Sequence, residues 1–91
     1  MITFRHKGLK AFYEKEDASK LPKEQLRKIA RILLMLEALE SEEDIRNIGF
    51  GTHKLKGKLS ERWAIKVSAN YRITFQFSKP NVLDVDYEDY H

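Results

Sequence analysis

Trp63-Ala64-Ile65-Lys66-Val67-Ser68-Ala69-Asn70-Tyr71-Arg72-Ile73-Thr74-Phe75-Gln76-Phe77-Ser78 decides the fold. Trp63, Ile65 and Val67 alternate with Ala64, Lys66 and Ser68, and Tyr71, Ile73, Phe75 and Phe77 alternate with Arg72, Thr74, Gln76 and Ser78. Successive side chains of a strand point to opposite faces, so a period of two marks a sheet with one face buried and one wet. Asn70 supplies a turn between the two runs. Ser78-Lys79-Pro80-Asn81 supplies a second turn, after which Leu83, Val85 and Tyr87 continue the apolar alternation. The second half is therefore predicted to be a β-meander. Its polar face carries Lys66, Arg72, Thr74, Gln76, Asp84 and Asp86 and is expected to be open to solvent.

Towards the N-terminus the pattern changes once, near Gly49-Phe50-Gly51. Ile2 to Arg5 reads as a short strand, and Lys7 to Lys15 as a short helix with Leu9, Phe12 and Tyr13 at helical spacing. The main helix is predicted from about Pro22 to about Leu39. Leu26, Ile29, Ala30, Leu33 and Leu36 form its buried stripe, and Ile32, Leu34, Met35 and Leu39 widen it. So wide a girdle implies contact with the sheet and with either the first helix or another chain. Ser41-Glu42-Glu43-Asp44, a serine cap with acids in the first turn, opens one further helical turn to about Asn47. Only these helices can cover the apolar face of the meander, which gives an α+β sandwich of one domain over residues 1–91.

With 91 residues and 42% hydrophobic content, the chain is too short for a dinucleotide-binding fold or a barrel and too apolar to be disordered. It has no cysteine, which excludes disulfides, thiolate zinc sites and a cysteine nucleophile. Neither a signal-peptide core nor an apolar run long enough for a membrane span is present, so the expected location is the cytoplasm. No Gly-rich phosphate loop, HExxH helix or serine-triad pattern occurs.

The formal net charge is only +3, but it is unevenly spread. Lys54, Lys56, Lys58, Arg62, Lys66 and Arg72 crowd one segment against a single acid, Glu61, while Asp84, Asp86, Glu88 and Asp89 follow in a stretch that ends in His91. Paired signs on neighbouring strands would account for this, and so would a phosphate-attracting surface with proton-transfer groups beside it. Arg72 lies mid-strand between apolar residues, where an ion pair to Asp84 or Asp86 or a bound phosphate would explain it. Lys54, Lys58, Arg62 and Lys66 are candidate RNA contacts. Asp89 and His91 are two residues apart and share a face in an extended chain, which lets a carboxylate orient an imidazole. Asp84, Asp86, Glu88 and His91 offer metal-ligating atoms but lack the loop and glycine of a calcium site, and neither a metal nor a cofactor is expected. Trp63 and Tyr87 could stack on bases, yet both fall on core-facing positions.

His53-x-Leu55-Lys56-Gly57, Trp63-x-Ile65-x-Val67, Asn70-Tyr71-Arg72-Ile73-Thr74-Phe75-x-Phe77 and Val85-x-Tyr87-x-Asp89-Tyr90-His91, with Phe4-x-His6-Lys7-Gly8-Leu9-Lys10 ahead of them, resemble the HigB toxins. These are RelE-like mRNA interferases of type II toxin–antitoxin systems. The chain departs from the usual pattern at Lys54, Lys58-Leu59 and Tyr71. The resemblance implies a RelE-like, microbial-RNase-type fold, with N-terminal helices on one face of a small, mainly antiparallel sheet. It also implies a metal-independent endoribonuclease that acts on mRNA in the decoding site of the 70S ribosome. A cognate helix-turn-helix antitoxin would neutralise it, and operator DNA would be met only through that complex. Under this resemblance His91 and Asp89 are the acid–base groups, Lys56 and Arg72 bind the scissile phosphate, and Tyr90 positions the RNA. A ParE-like toxin that binds gyrase without cutting RNA shares the architecture and is the competing reading; a metal-dependent nuclease is the third.

Overall fold

The computed structural model describes residues 1–55 and 62–89. Lys56, Lys58, Tyr90 and His91 lie outside the described residues. In chain order the elements are β1 (Ile2–Phe4), α1 (Lys7–Lys15), a 3₁₀ turn (Lys23–Gln25), α2 (Leu26–Glu37), α3 (Glu42–Arg46), β2 (His53–Lys54), β3 (Arg62–Lys66), β4 (Tyr71–Ser78) and β5 (Asn81–Asp89). The strands form one sheet in the order β1-β5-β4-β3-β2. β1 runs parallel to β5 and the other described pairs are antiparallel, so the sheet is α+β and mainly antiparallel as the patterning implied.

The helices cover the face carrying Trp63, Ile65, Ile73, Phe75, Val82 and Val85, and Leu9, Ile29, Ile32, Leu33, Leu36 and Ile45 meet them in the core. Residues 29, 32, 33 and 36 have the i, i+3, i+4, i+7 spacing that puts them on one side of a helix. The wide girdle of α2 divides: Ile32 and Leu39 turn inward, whereas Leu34 is 66% exposed. The α-helix itself begins at Leu26 rather than Pro22, because Pro22 is extended and the next turn is 3₁₀. Ser41 caps α3 as expected, its Oγ accepting from the Asp44 amide.

Between α3 and β2 the backbone turns through three consecutive left-handed residues, Gly49 (φ +83°), Phe50 (φ +56°) and Gly51 (φ +64°). This conformation is free for glycine and costs about 1 kcal/mol or more for phenylalanine. Two contacts hold Phe50 there: its carbonyl accepts from the Lys66 amide at 2.9 Å, and Lys28 Nζ sits 4.6 Å from its ring centroid.

The last strand departs from simple alternation. Gln76 pairs with Leu83 but Thr74 pairs with Asp86, so β5 carries one extra residue, and Asp84 there takes φ +53°. Aspartate tolerates this left-handed conformation better than most side chains, as a β-bulge requires. β1 stitches the bulge in place: the Asp84 amide donates to Thr3 Oγ1 at 2.9 Å and the Arg5 amide to the Val85 carbonyl at 2.8 Å. The expectation that Leu83, Val85 and Tyr87 share one face is therefore corrected. Val82 and Val85 enter the core, and Leu83 moves to the face of Gln76.

Candidate functional site

Register across the sheet face opposite the helices sets three rows: Lys66, Arg72 and Glu88; Ala64, Thr74 and Asp86; and Arg62, Gln76 and Leu83. The sheet holds these backbone positions rigidly. The face is not the open surface that alternation suggested, since Ala64 and Thr74 are fully buried and Arg62 is 7% exposed. Its guanidinium lies along the sheet, where Nη2 donates to Thr74 Oγ1 at 2.9 Å and to the Asp84 carbonyl at 2.8 Å. The Thr74 hydroxyl donates in turn to Glu88 Oε2. Burial, with the Arg5 cation nearby, pulls the Arg62 guanidinium below its ordinary pKa; Glu88, Asp84 and Asp86 oppose that.

Arg62 was expected as an RNA contact; in the structure it is nearly buried and its Nη2 ties β3, β4 and β5 together. Replacing it by methionine keeps the aliphatic stem but removes the donor to a buried hydroxyl and to the bulge carbonyl. The expected cost is about 1–3 kcal/mol, read as a lower midpoint in urea denaturation. An unchanged midpoint would show that the guanidinium holds nothing together.

Arg72 meets a different carboxylate from the two anticipated. Its Nη2 is 3.7 Å from Glu88 Oε1, and the two side chains are 17% and 31% exposed. Asp84 is drawn by the bulge to Arg5 at 3.9 Å, and Asp86 Oδ1 accepts from the Tyr87 amide. The acids of β5 are thus distributed rather than gathered, and among the described residues no group of three metal-ligating side chains converges. On its other side Arg72 is directly opposite Lys66, which is exposed. Like charges in that register repel and favour an anion between or above them.

The remaining proposed residues are placed differently. Asp89 pairs with Tyr71, one step out of phase with Arg72 and Glu88, so register does not put it on Arg72's face. Lys54 pairs with Trp63 on the helix-covered side, its Nζ 5.6 Å from the indole, where Arg46 also lies at 5.5 Å. Trp63 is core, as its spacing suggested. Tyr87 is half-buried between Tyr71, stacked at 5.0 Å, and the edge of His6 at 5.8 Å. Its hydroxyl finds no partner among the described residues, and burial pushes its pKa up. Sequence reasoning did not place two polar groups on Arg72's face. Glu88 is one; the other is His53, which pairs with Ala64 and has Nδ1 2.9 Å from the Gly51 carbonyl.

A family model described as the RelE-like toxin of type II toxin-antitoxin system HigB matches residues 2–91. The chain belongs to the HigB family of RelE-like toxins. Among curated proteins it is similar to the Endoribonuclease HigB of Proteus vulgaris, with 38% identity over 92 residues, covering 98% of this chain and 97% of that one. The resemblance carried by the short motifs is borne out over the whole length. Membership of the HigB family makes the chain the toxin half of a two-component system, with an antitoxin as its partner. No helix among the described residues is long and apolar enough to cross a membrane.

Proposed function

We propose that this HigB-family toxin is a ribosome-dependent endoribonuclease that cleaves mRNA in the decoding site and so stops translation. The observation that carries the reading is the row at one end of the sheet face where Arg72, the second residue of β4 and paired on both sides, faces a second cation, Lys66. The name of the Proteus vulgaris relative, Endoribonuclease HigB, supports the nuclease part of this reading independently.

In the proposed reaction the ribose 2′-oxygen attacks the adjacent phosphorus while His91 or Asp89 removes its proton. A bond from O2′ to phosphorus forms, the bond from phosphorus to O5′ breaks, and a protonated group supplies a proton to the leaving 5′-oxygen. Arg72 and Lys56 stabilise the charge that gathers on the non-bridging oxygens, which is where fixed cations lower a barrier most. Tyr90 positions the RNA, and Lys54, Lys58 and Lys66 contact the phosphates of mRNA or ribosome; Arg62 keeps a structural role. In this proposal the side chains carry these steps without a metal, and Asp84 and Glu88 face Arg5 and Arg72. The antitoxin is expected to be a helix-turn-helix protein through which the pair reaches operator DNA. A ribosomal substrate places the action in the cytoplasm.

The chemistry of the cut ends tests this directly. Cleaved mRNA should carry a 5′-hydroxyl, open to labelling by polynucleotide kinase without prior phosphatase, and a 2′,3′-cyclic phosphate. A 5′-phosphate would mean attack by water and would remove the 2′-oxygen mechanism.

A further inference from the structure

The bulge in β5 does more than turn a side chain. Were the pairing of Gln76 with Leu83 continued without the extra residue, Arg72 would lie opposite Tyr87; with it, Arg72 lies opposite Glu88. The same bulge exposes the Asp84 carbonyl that Arg62 Nη2 takes at 2.8 Å. From Arg62 a hydrogen-bonded path runs to Thr74 Oγ1 at 2.9 Å and on to Glu88 Oε2, leaving Oε1 turned to Arg72 Nη2 at 3.7 Å. A hydroxyl has one proton to give. Because Thr74 accepts from the cation behind it, that proton goes to Glu88, which fixes the carboxylate's orientation. Thr74 is fully buried and Arg62 nearly so, and the path is anchored in the sheet interior at one end.

We infer that Glu88 is a positioning residue for the reaction, fixing the Arg72 guanidinium through a path that Thr74 and Arg62 anchor at the β5 bulge. Glu88 touches no reacting atom in this account. It holds a long cationic side chain in one geometry before RNA arrives, and a displacement of even about 1 Å in such a group is costly to a reaction rate. The inference rests on the proposed cleavage and names a residue within that same site.

A double-mutant cycle on single-turnover cleavage of ribosome-bound mRNA tests it. Glu88→Gln and Thr74→Val should each slow the maximal rate about tenfold or more, with the ribosome concentration for half-maximal rate changed by less than about twofold. Thr74→Ser, which keeps the hydroxyl, should recover most of the rate. In an Arg72→Ala background, Glu88→Gln should cause no further loss. Circular dichroism melting of each variant separates unfolding from misplacement, and Glu88, being partly exposed, keeps the test open where Thr74→Val fails to fold. The inference is overturned if Glu88→Gln cleaves at the wild-type rate, or loses the same factor whether or not Arg72 is present. Wild-type protein that leaves ribosomal mRNA intact would instead overturn the proposed function itself.

Discussion

His91→Gln should lower the rate of mRNA cleavage about 10²- to 10⁴-fold, the range that a positioned acid–base group ordinarily contributes. Glutamine keeps hydrogen-bonding atoms but cannot exchange a proton near neutral pH, whereas an imidazole both gives and takes one there. A melting temperature equal to the wild type's would separate a loss of chemistry from a loss of fold. Growth arrest should disappear with cleavage. The pH–rate profile supplies a second readout: the limb that depends on imidazole ionisation should be missing from whatever slow reaction remains. A folded His91→Gln protein that cleaves and arrests growth like wild type would remove His91 from the mechanism.

Arg72→Ala should cost about 10²- to 10³-fold in single-turnover rate, the loss typical of removing one charge-stabilising contact from a phosphoryl or acyl transition state. Arg72 is the second residue of β4, paired to Lys66 on one side and Glu88 on the other, so the ladder on both sides holds its backbone. Lysine at the same place keeps the charge but not the planar fork that matches two phosphate oxygens. Arg72→Lys should therefore fall between wild type and alanine, and it guards against a general loss of structure in the alanine variant. Measured under saturating ribosomes, the effect should appear in the rate of the chemical step. Equal rates for wild type and Arg72→Ala would mean that the scissile phosphate is bound elsewhere.

The architecture was legible because its elements use the two periods that side-chain geometry imposes. Ile29, Ile32, Leu33 and Leu36 repeat as a helix must, and Ile73, Phe75 and Phe77 as a strand must. Arg72 was legible for a related reason: a cation flanked by strand-forming apolar residues has a fixed place. The bulge left almost no trace, since one extra residue disturbs no period that Leu83, Val85 and Tyr87 could report, and an aspartate able to take φ +53° is a weak signal. Everything that depends on register beyond Asp84 was hidden with it. Glu88 could not be matched to Arg72, nor Asp89 to Tyr71, by counting along the strand. The structural ties of Arg62 were not legible because its partners are remote, a hydroxyl 12 residues away and a backbone carbonyl 22 away. Arginine beside lysines looks like surface until a buried acceptor is known.

The central claim is cleavage of mRNA on the ribosome by side chains alone, and one assay addresses it. A defined mRNA is incubated with the toxin in the presence and absence of programmed 70S ribosomes, with EDTA added once the complexes are formed and only enough magnesium retained to hold them together. Cuts are expected only in the ribosome lanes, at a rate indifferent to added manganese or zinc. Intact mRNA in every lane, from folded protein that still arrests growth, would contradict the claim and favour a gyrase-binding toxin.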